Sequence, residues 1–163
     1  METKLALKNT GRCGICVKNV SGTYFDELKQ YVKSFLDGSK SDFELSYDIH
    51  VDNYGYLWII IDIKRIEDTV ACIITVGETI EEKGFSDQLS AAVFEFSSDG
   101  SQNQPNYLIY DYKLDKFYPF APINSIQKRR NNQAEMKIME AVADELPFEK
   151  DISHWYPIWG LPF

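Results

Sequence analysis

A β-hairpin pattern between residues 43 and 63 constrains the fold of this chain more than any other feature of its sequence. Alternating apolar residues with a period of two are typical of a half-buried strand, and they occur here at Phe43, Leu45, Tyr47, Ile49 and Val51. Turn-forming residues occupy 52–55, and 56–63 follow as a second strand that is apolar on both faces at its centre. The pattern predicts a hairpin whose second strand is central and covered on both sides.

Three helices are predicted around this hairpin. The first should end at Gly38, because glycine readily adopts the left-handed backbone that terminates helices. The second should begin with Asp68 as its cap and end near Gly84. The third should begin near Asn131 and be closed by Pro147.

Further strands are predicted for 91–96 and 107–112, and Pro119 restricts 117–120 to a short edge strand. Residues 15–20 are compatible with a strand or with a packed extended segment. The order α-β-β-α-β-β-(β)-α predicts an α+β protein with three helices and an antiparallel sheet of four to five strands. We expect one globular domain over residues 1–163.

Composition excludes several classes of function. The chain of 163 residues is 44% apolar and carries a net charge of −8, which disfavours nucleic acid as its main partner. Its longest apolar run has the length of a strand, so at most a peripheral membrane association is expected. The N-terminal residues do not resemble a signal peptide, and we expect a cytoplasmic protein with reduced cysteines.

Few residues suggest catalysis. Cys13 and Cys16 form a C-x-x-C pair, but an apparent strand follows it rather than the helix of a thioredoxin-type site. No second pair of metal ligands with standard spacing accompanies it, and His50 and His154 are isolated. We therefore predict no catalytic residue, no metal and no cofactor, with a thiol redox or metal role for the cysteine pair as an alternative.

Two aromatic blocks, 117–122 and 151–163, combine aromatic residues with prolines. Such residues form rigid, amphipathic surfaces that lose little conformational entropy on docking. One interpretation is that the two blocks pack on each other over the sheet edge, and the other is that they contact a partner. The candidate partner-binding residues are Tyr118, Phe120, Trp155, Tyr156 and Trp159.

A basic cluster precedes the third helix. Cations near a helix N-terminus are mildly unfavourable, which suggests that Arg129 and Arg130 have a use. One hypothesis is an anion or lipid headgroup held by these arginines, by Asn132 and by the free amides of the first helical turn. The alternative is ion pairing with nearby carboxylates.

The residues 52–58, 117–122, 129–132 and 155–160 resemble, in order and spacing, the PspA-associated protein family PspAB. This family is linked to the phage-shock response to envelope stress in archaea and actinobacteria. Cys16 has a counterpart in the family and Cys13 has no obvious one, which weakens a redox interpretation of the pair. The element order also resembles type III secretion chaperones and YbjN-like proteins, among which dimers are common.

The resemblance implies an accessory role beside PspA, often together with an HtpX-type membrane protease. It supplies no catalytic residues. We therefore expect a non-enzymatic adaptor that binds a protein or peptide partner, and a homodimer is compatible with this expectation.

Overall fold

The computed structural model describes residues 7–18, 23–52, 54–98, 105–124, 126–159 and 161. In this part of the chain the protein has an α+β fold with three helices, an antiparallel sheet of six strands and a two-stranded sheet. The elements are β1 (Leu7–Val17), α1 (Thr23–Phe43), β2 (Ser46–Val51), β3 (Leu57–Asp62), α2 (Ile66–Glu82), β4 (Leu89–Ser98), β5 (Asn106–Asp111), β6 (Lys116–Phe120), β7 (Pro122–Asn124), β8 (Arg129–Arg130) and α3 (Asn132–Val142).

The large sheet has the strand order β2-β3-β1-β4-β5-β6. The predicted fold class is confirmed, but the predicted count of four to five strands is too low. The difference arises mainly at β1, an 11-residue strand that precedes the first helix. Its residues alternate poorly between apolar and polar, because a strand inside the sheet is covered on both faces.

The chain divides into two compact units. We call the described residues of 11–92 the hairpin unit, and those of 7–10 and 93–161 the C-terminal unit. The interpretation of the sequence as a single domain stays a prediction.

The hairpin unit contains the predicted hairpin. Ile59 of β3 pairs with Ile49 of β2 on one side and with Ile15 of β1 on the other, so β3 is a central strand as predicted. Five of its six residues are buried or half-buried. The turn is held by Asp52, whose carboxylate accepts a hydrogen bond of 2.9 Å from the indole nitrogen of Trp58.

Helix α1 continues past Gly38, so the predicted end at this residue is wrong. Gly38 stays helical, and the left-handed residue that follows the helix is Glu44, with φ of 49°. The hydroxyl of Ser39 donates to the carbonyl of Phe35 at 2.9 Å, and Lys40 lies 3.4 Å from Asp37. These contacts and the cation near the C-terminus favour a further helical turn over the loop that the glycine suggests.

Helix α2 begins earlier than predicted. Arg65 is its cap and makes no capping hydrogen bond through its side chain, so the assignment of Asp68 as the cap is wrong. Asp68 lies in the first turn instead, where a carboxylate interacts favourably with the helix dipole. The predicted end is confirmed, because Gly84 has φ of +88° and the amide of Phe85 bonds back to the carbonyl of Ile80.

In the C-terminal unit, β6 pairs with β5 and lies at the end of the sheet order, which confirms the edge position inferred from Pro119. Helix α3 begins where predicted, since the side chain of Asn131 accepts a hydrogen bond from the amide of Ala134 at 3.0 Å. The helix ends at Val142, about one turn before Pro147. Between β6 and α3, the short hairpin β7–β8 carries the basic cluster.

Candidate functional site

The segment 147–159, which we call the strap, covers the edge of β6 that faces away from β5. The amide of Phe117 donates to the carbonyl of Pro147, and the amide of Glu149 donates to the carbonyl of Phe117, both at 2.8 Å. These bonds form a short parallel bridge between Phe117 and Phe148. The strap therefore satisfies backbone groups that an edge strand would otherwise leave open to pairing.

Trp155 fixes the middle of the strap. Its side chain is 3% exposed, and its indole nitrogen donates to the carbonyl of Glu149 at 2.6 Å. Its ring meets that of Phe148 edge to face, with centroids 6.0 Å apart. From β6, the hydroxyl of Tyr118 donates to the carbonyl of Tyr156 at 2.8 Å. The backbone of the strap is thus held by side chains on its inner side.

Arg130 joins the strap to the rest of the unit. Its Nε donates to the carboxylate of Glu135 at 2.7 Å, and its Nη1 donates to the carbonyl of Trp155 at 2.9 Å. Its guanidinium also lies over the ring of Phe120, 5.2 Å from the centroid. Because the pair is largely shielded from water, these charge-assisted bonds are stronger than surface ion pairs.

Glu135 is the buried partner in this arrangement, with only 1% of its surface exposed. Besides Arg130, its carboxylate accepts a hydrogen bond of 3.0 Å from the amide of Ala121, which directly follows β6. One carboxylate in the first turn of α3 therefore connects β6, β8 and α3. Sequence reasoning missed this residue, since a glutamate in a first helical turn is ordinarily a solvated end of the helix.

The five candidate partner-binding residues divide into interior and surface positions. Tyr118, Phe120 and Trp155 are buried, and Trp159 is half-buried against Phe120, with ring centroids 5.2 Å apart. Tyr156 is 51% exposed. The structure thus brings the two aromatic blocks together, and the exposed part of the set lies on the outer side of the strap.

The candidate anion-binding residues differ in their contacts and exposure. Arg130 directs its donors to Glu135 and Trp155, as the ion-pair alternative predicts. Arg129 and Asn132 are exposed. Anion binding by these residues stays a prediction, and Arg129 would supply the positive charge for it.

His154 lies beside two carboxylates of the strap. Its Nδ1 is 3.4 Å from a carboxylate oxygen of Glu149 and 3.9 Å from one of Asp151, without the geometry of a hydrogen bond. The amide of Asp151 donates to Glu149, and this bond holds the pKa of the Glu149 carboxyl below its ordinary value. Hydrogen bonds from Ser153 likewise lower the pKa of Asp151. The strap therefore carries ionised carboxylates at neutral pH.

The three cysteines are buried free thiols in the hairpin unit. Burial raises the pKa of Cys16 to about 12 and that of Cys72 to about 11, and it raises the pKa of Cys13 further. A nucleophilic or metal-binding cysteine needs its thiolate form, which burial disfavours. Among the residues that the structure describes, no three His, Cys, Asp or Glu side chains form a group able to hold a metal.

Fold and site together define an α+β protein whose aromatic C-terminal strap is fixed on a sheet edge by a half-buried arginine that pairs with a buried glutamate. A family model described as PspAB, PspA associated protein B, matches residues 1–163, and the chain belongs to this family. The resemblance inferred from the sequence is confirmed. No curated protein and no solved structure matches the chain.

Membership in the family suggests an accessory role in the Psp system, and the family name implies association with PspA. Each helix in the described part of the chain is too short or too polar to cross a membrane. The similarity to type III secretion chaperones, the archaeal source and the link to an HtpX-type protease stay predictions.

Proposed function

We propose that this protein is a non-enzymatic accessory protein of the Psp system that binds a protein partner through the outer side of the strap. The observation that carries this proposal is the exposure of Tyr156 and Ile152, at 51% and 57%, on a segment whose backbone is fixed from its inner side. A segment whose backbone is held in place before binding loses little backbone entropy when a partner covers it.

A protein is the partner that this surface fits best. Aromatic residues with one polar end are enriched in protein interfaces, and Tyr156 offers both a ring and a hydroxyl. The nearby exposed carboxylate of Asp151 would give such an interface a polar rim. The family name makes PspA the first partner to test, and an HtpX-type protease or a second copy of this chain are alternatives.

The absence of an enzymatic role is part of the proposal. Its support is the burial of the C-x-x-C thiols, which keeps Cys13 and Cys16 in the unreactive protonated form. His154 faces the carboxylates of the strap rather than a cysteine or another nucleophile. We therefore infer that His154 and the carboxylates beside it position the strap.

The test is the binding of purified PspA from the same organism, measured by isothermal titration calorimetry. The double variant Tyr156→Ala and Ile152→Ser should weaken binding at least about fivefold, because central interface residues contribute more than 1 kcal/mol. Its free energy of unfolding should stay within about 0.5 kcal/mol of the native protein, since both side chains are largely in water.

Trp159→Ala serves as a control, because it removes an aromatic side chain that packs inside the unit. The half-buried indole contacts Phe120, so we expect this variant to lose about 1–2 kcal/mol of stability. If PspA binds the Tyr156 and Ile152 double variant as tightly as the native protein, the outer side of the strap is not the contact surface. If PspA does not bind the native protein, the proposed partner is wrong.

A further inference from the structure

The hairpin β7–β8 presents an isoleucine to solvent beside two unpaired cations. Ile126 is 94% exposed, and Ile123 on the neighbouring strand is 39% exposed. Lys128 and Arg129 are exposed as well, and neither forms an ion pair with a described residue. Burying one large aliphatic side chain is worth roughly a tenfold to hundredfold gain in affinity, so a surface that accepts Ile126 would bind detectably better.

This hairpin lies in a stretch of the chain without acidic residues. Residues 116–134 contain Lys116, Lys128, Arg129 and Arg130 and no Asp or Glu, whereas the whole chain has 25 acidic against 17 basic residues. The local charge is therefore opposite to the net charge of −8. A local basic surface on an acidic protein selects a strongly anionic target at short range, because salt screens the wider field.

Hydrogen bonds connect residues at the tip and at the base of the hairpin. At its tip, the side chain of Asn124 accepts hydrogen bonds from the amides of Ile126 and Gln127, at 2.9 and 3.0 Å. At its base, the amide of Asn131 donates to the carbonyl of Ala121 at 2.7 Å, and Arg130 is bound to Glu135. The exposed side chains of Ile126 and Lys128 therefore belong to a segment whose backbone is hydrogen-bonded at Ile126 and Gln127.

We propose that the tip of this hairpin docks on an anionic membrane surface, with Ile126 inserted below the headgroups and Lys128 and Arg129 in contact with them. Arg129 is three positions after Ile126, so their Cα atoms lie at most about 10 Å apart, at roughly 3.3 Å per residue for a fully extended chain. A spacing within this limit allows Ile126 to enter a bilayer to the interfacial depth of about 5–10 Å while Arg129 stays among the headgroups. A free phosphate or a nucleic acid would leave Ile126 in water.

Each cation near an anionic surface strengthens binding by about fivefold, so Lys128 and Arg129 together contribute about 25-fold. The single inserted isoleucine adds roughly tenfold or more. Such an attachment is weak and reversible. It involves other residues than the strap surface and does not depend on the proposed protein partner.

The test is co-sedimentation of the full chain with sucrose-loaded vesicles. Vesicles of phosphatidylglycerol mixed with phosphatidylcholine should bind the protein, and vesicles of phosphatidylcholine alone should not. Ile126→Ser should weaken binding about tenfold, and Lys128→Glu with Arg129→Glu at least about 25-fold. Circular dichroism and thermal unfolding check that these surface variants remain folded.

Two matched controls come from the same unit. Lys137→Glu with Lys150→Glu makes the same change in net charge at exposed positions outside the hairpin, and Ile152→Ser removes an exposed isoleucine from the strap. Both should leave vesicle binding unchanged. The proposal is overturned if the control charge reversal weakens binding as much, if Ile126→Ser has no effect, or if the native protein binds polyglutamate in preference to anionic vesicles.

Discussion

At the scale of single residues, Arg130 contributes most to the organisation of the C-terminal unit. Its guanidinium can donate five hydrogen bonds in a fixed plane. Those donors contact Glu135 of α3 and the carbonyl of Trp155 in the strap, while its face lies over Phe120 of β6. A lysine has no planar group to make these contacts together, so the position requires arginine.

The buried carboxylate of Glu135 gives the sharpest prediction at this scale. Glu135→Ala should lower the free energy of unfolding by about 3 kcal/mol, because it leaves the charge of Arg130 and the amide of Ala121 without their acceptor. Urea unfolding followed by tryptophan fluorescence measures the change. Glu140→Ala, at an exposed position of the same helix, should change stability by less than about 0.5 kcal/mol. Equal effects of the two substitutions would contradict the bridging role.

Sequence reasoning found Arg130 but not its full set of partners. Ion pairing with a local carboxylate was foreseen, and Glu135 is five residues away. Trp155 is 25 residues away, and a contact with a backbone carbonyl leaves no pattern in a single sequence. The pairing of the aromatic blocks was predictable because exposed apolar patches of that size are unusual on a monomer.

At the scale of elements, the glycines mark where local signals and tertiary structure disagree. Gly38 lies within α1 with ordinary helical backbone, and a methyl group placed on it would meet no atom within 4 Å. Gly84 also has open space around it, but its φ of +88° is strained for any residue with a side chain. Substitutions at Gly38 and Gly84 therefore test two different effects, helix propensity at Gly38 and backbone strain at Gly84.

Gly38→Ala should raise the free energy of unfolding by about 0.5–1 kcal/mol, because alanine favours the helix and restricts the unfolded chain. Gly84→Ala should lower it by about 1 kcal/mol, since the left-handed backbone disfavours a Cβ atom. Urea denaturation of the two variants beside the native protein measures both. Destabilisation by Gly38→Ala would mean that α1 ends at this residue, as the sequence alone suggests.

Elements with a strong period were predicted, and elements whose character depends on their neighbours were not. The β2–β3 hairpin was evident because alternation and turn residues agree. The sequence of β1 is compatible with a strand or an extended segment, since it lacks a regular alternation, and its residues Cys13, Gly14 and Cys16 are buried where the strand pairs with β3. Gly11 also depends on a segment distant in sequence, because a Cβ atom at this position would lie 2.2 Å from the carbonyl oxygen of Ile63.

At the scale of the whole molecule, the fold lowers the pKa of several carboxyl groups of this acidic chain. Both units contain carboxylates whose pKa is lowered by hydrogen bonds in the folded state. In the hairpin unit, the hydroxyl of Tyr47 lowers the pKa of Asp37. In the C-terminal unit, the amide of Asp151 lowers that of Glu149, and Ser153 lowers that of Asp151. Folding therefore favours the ionised form of these groups in both units.

This coupling predicts loss of stability in acid. A carboxyl group with a lower pKa in the folded state stabilises the fold above its unfolded pKa, and the contribution disappears as pH falls through the folded pKa. The free energy of unfolding should therefore decline below about pH 4.5, the ordinary value for Glu149. Urea unfolding between pH 7 and pH 3 measures it. Glu149→Gln should flatten the decline, because it removes a carboxyl group whose pKa is lowered in the folded state. An unchanged slope for Glu149→Gln would show that ionised Glu149 does not hold the strap in place.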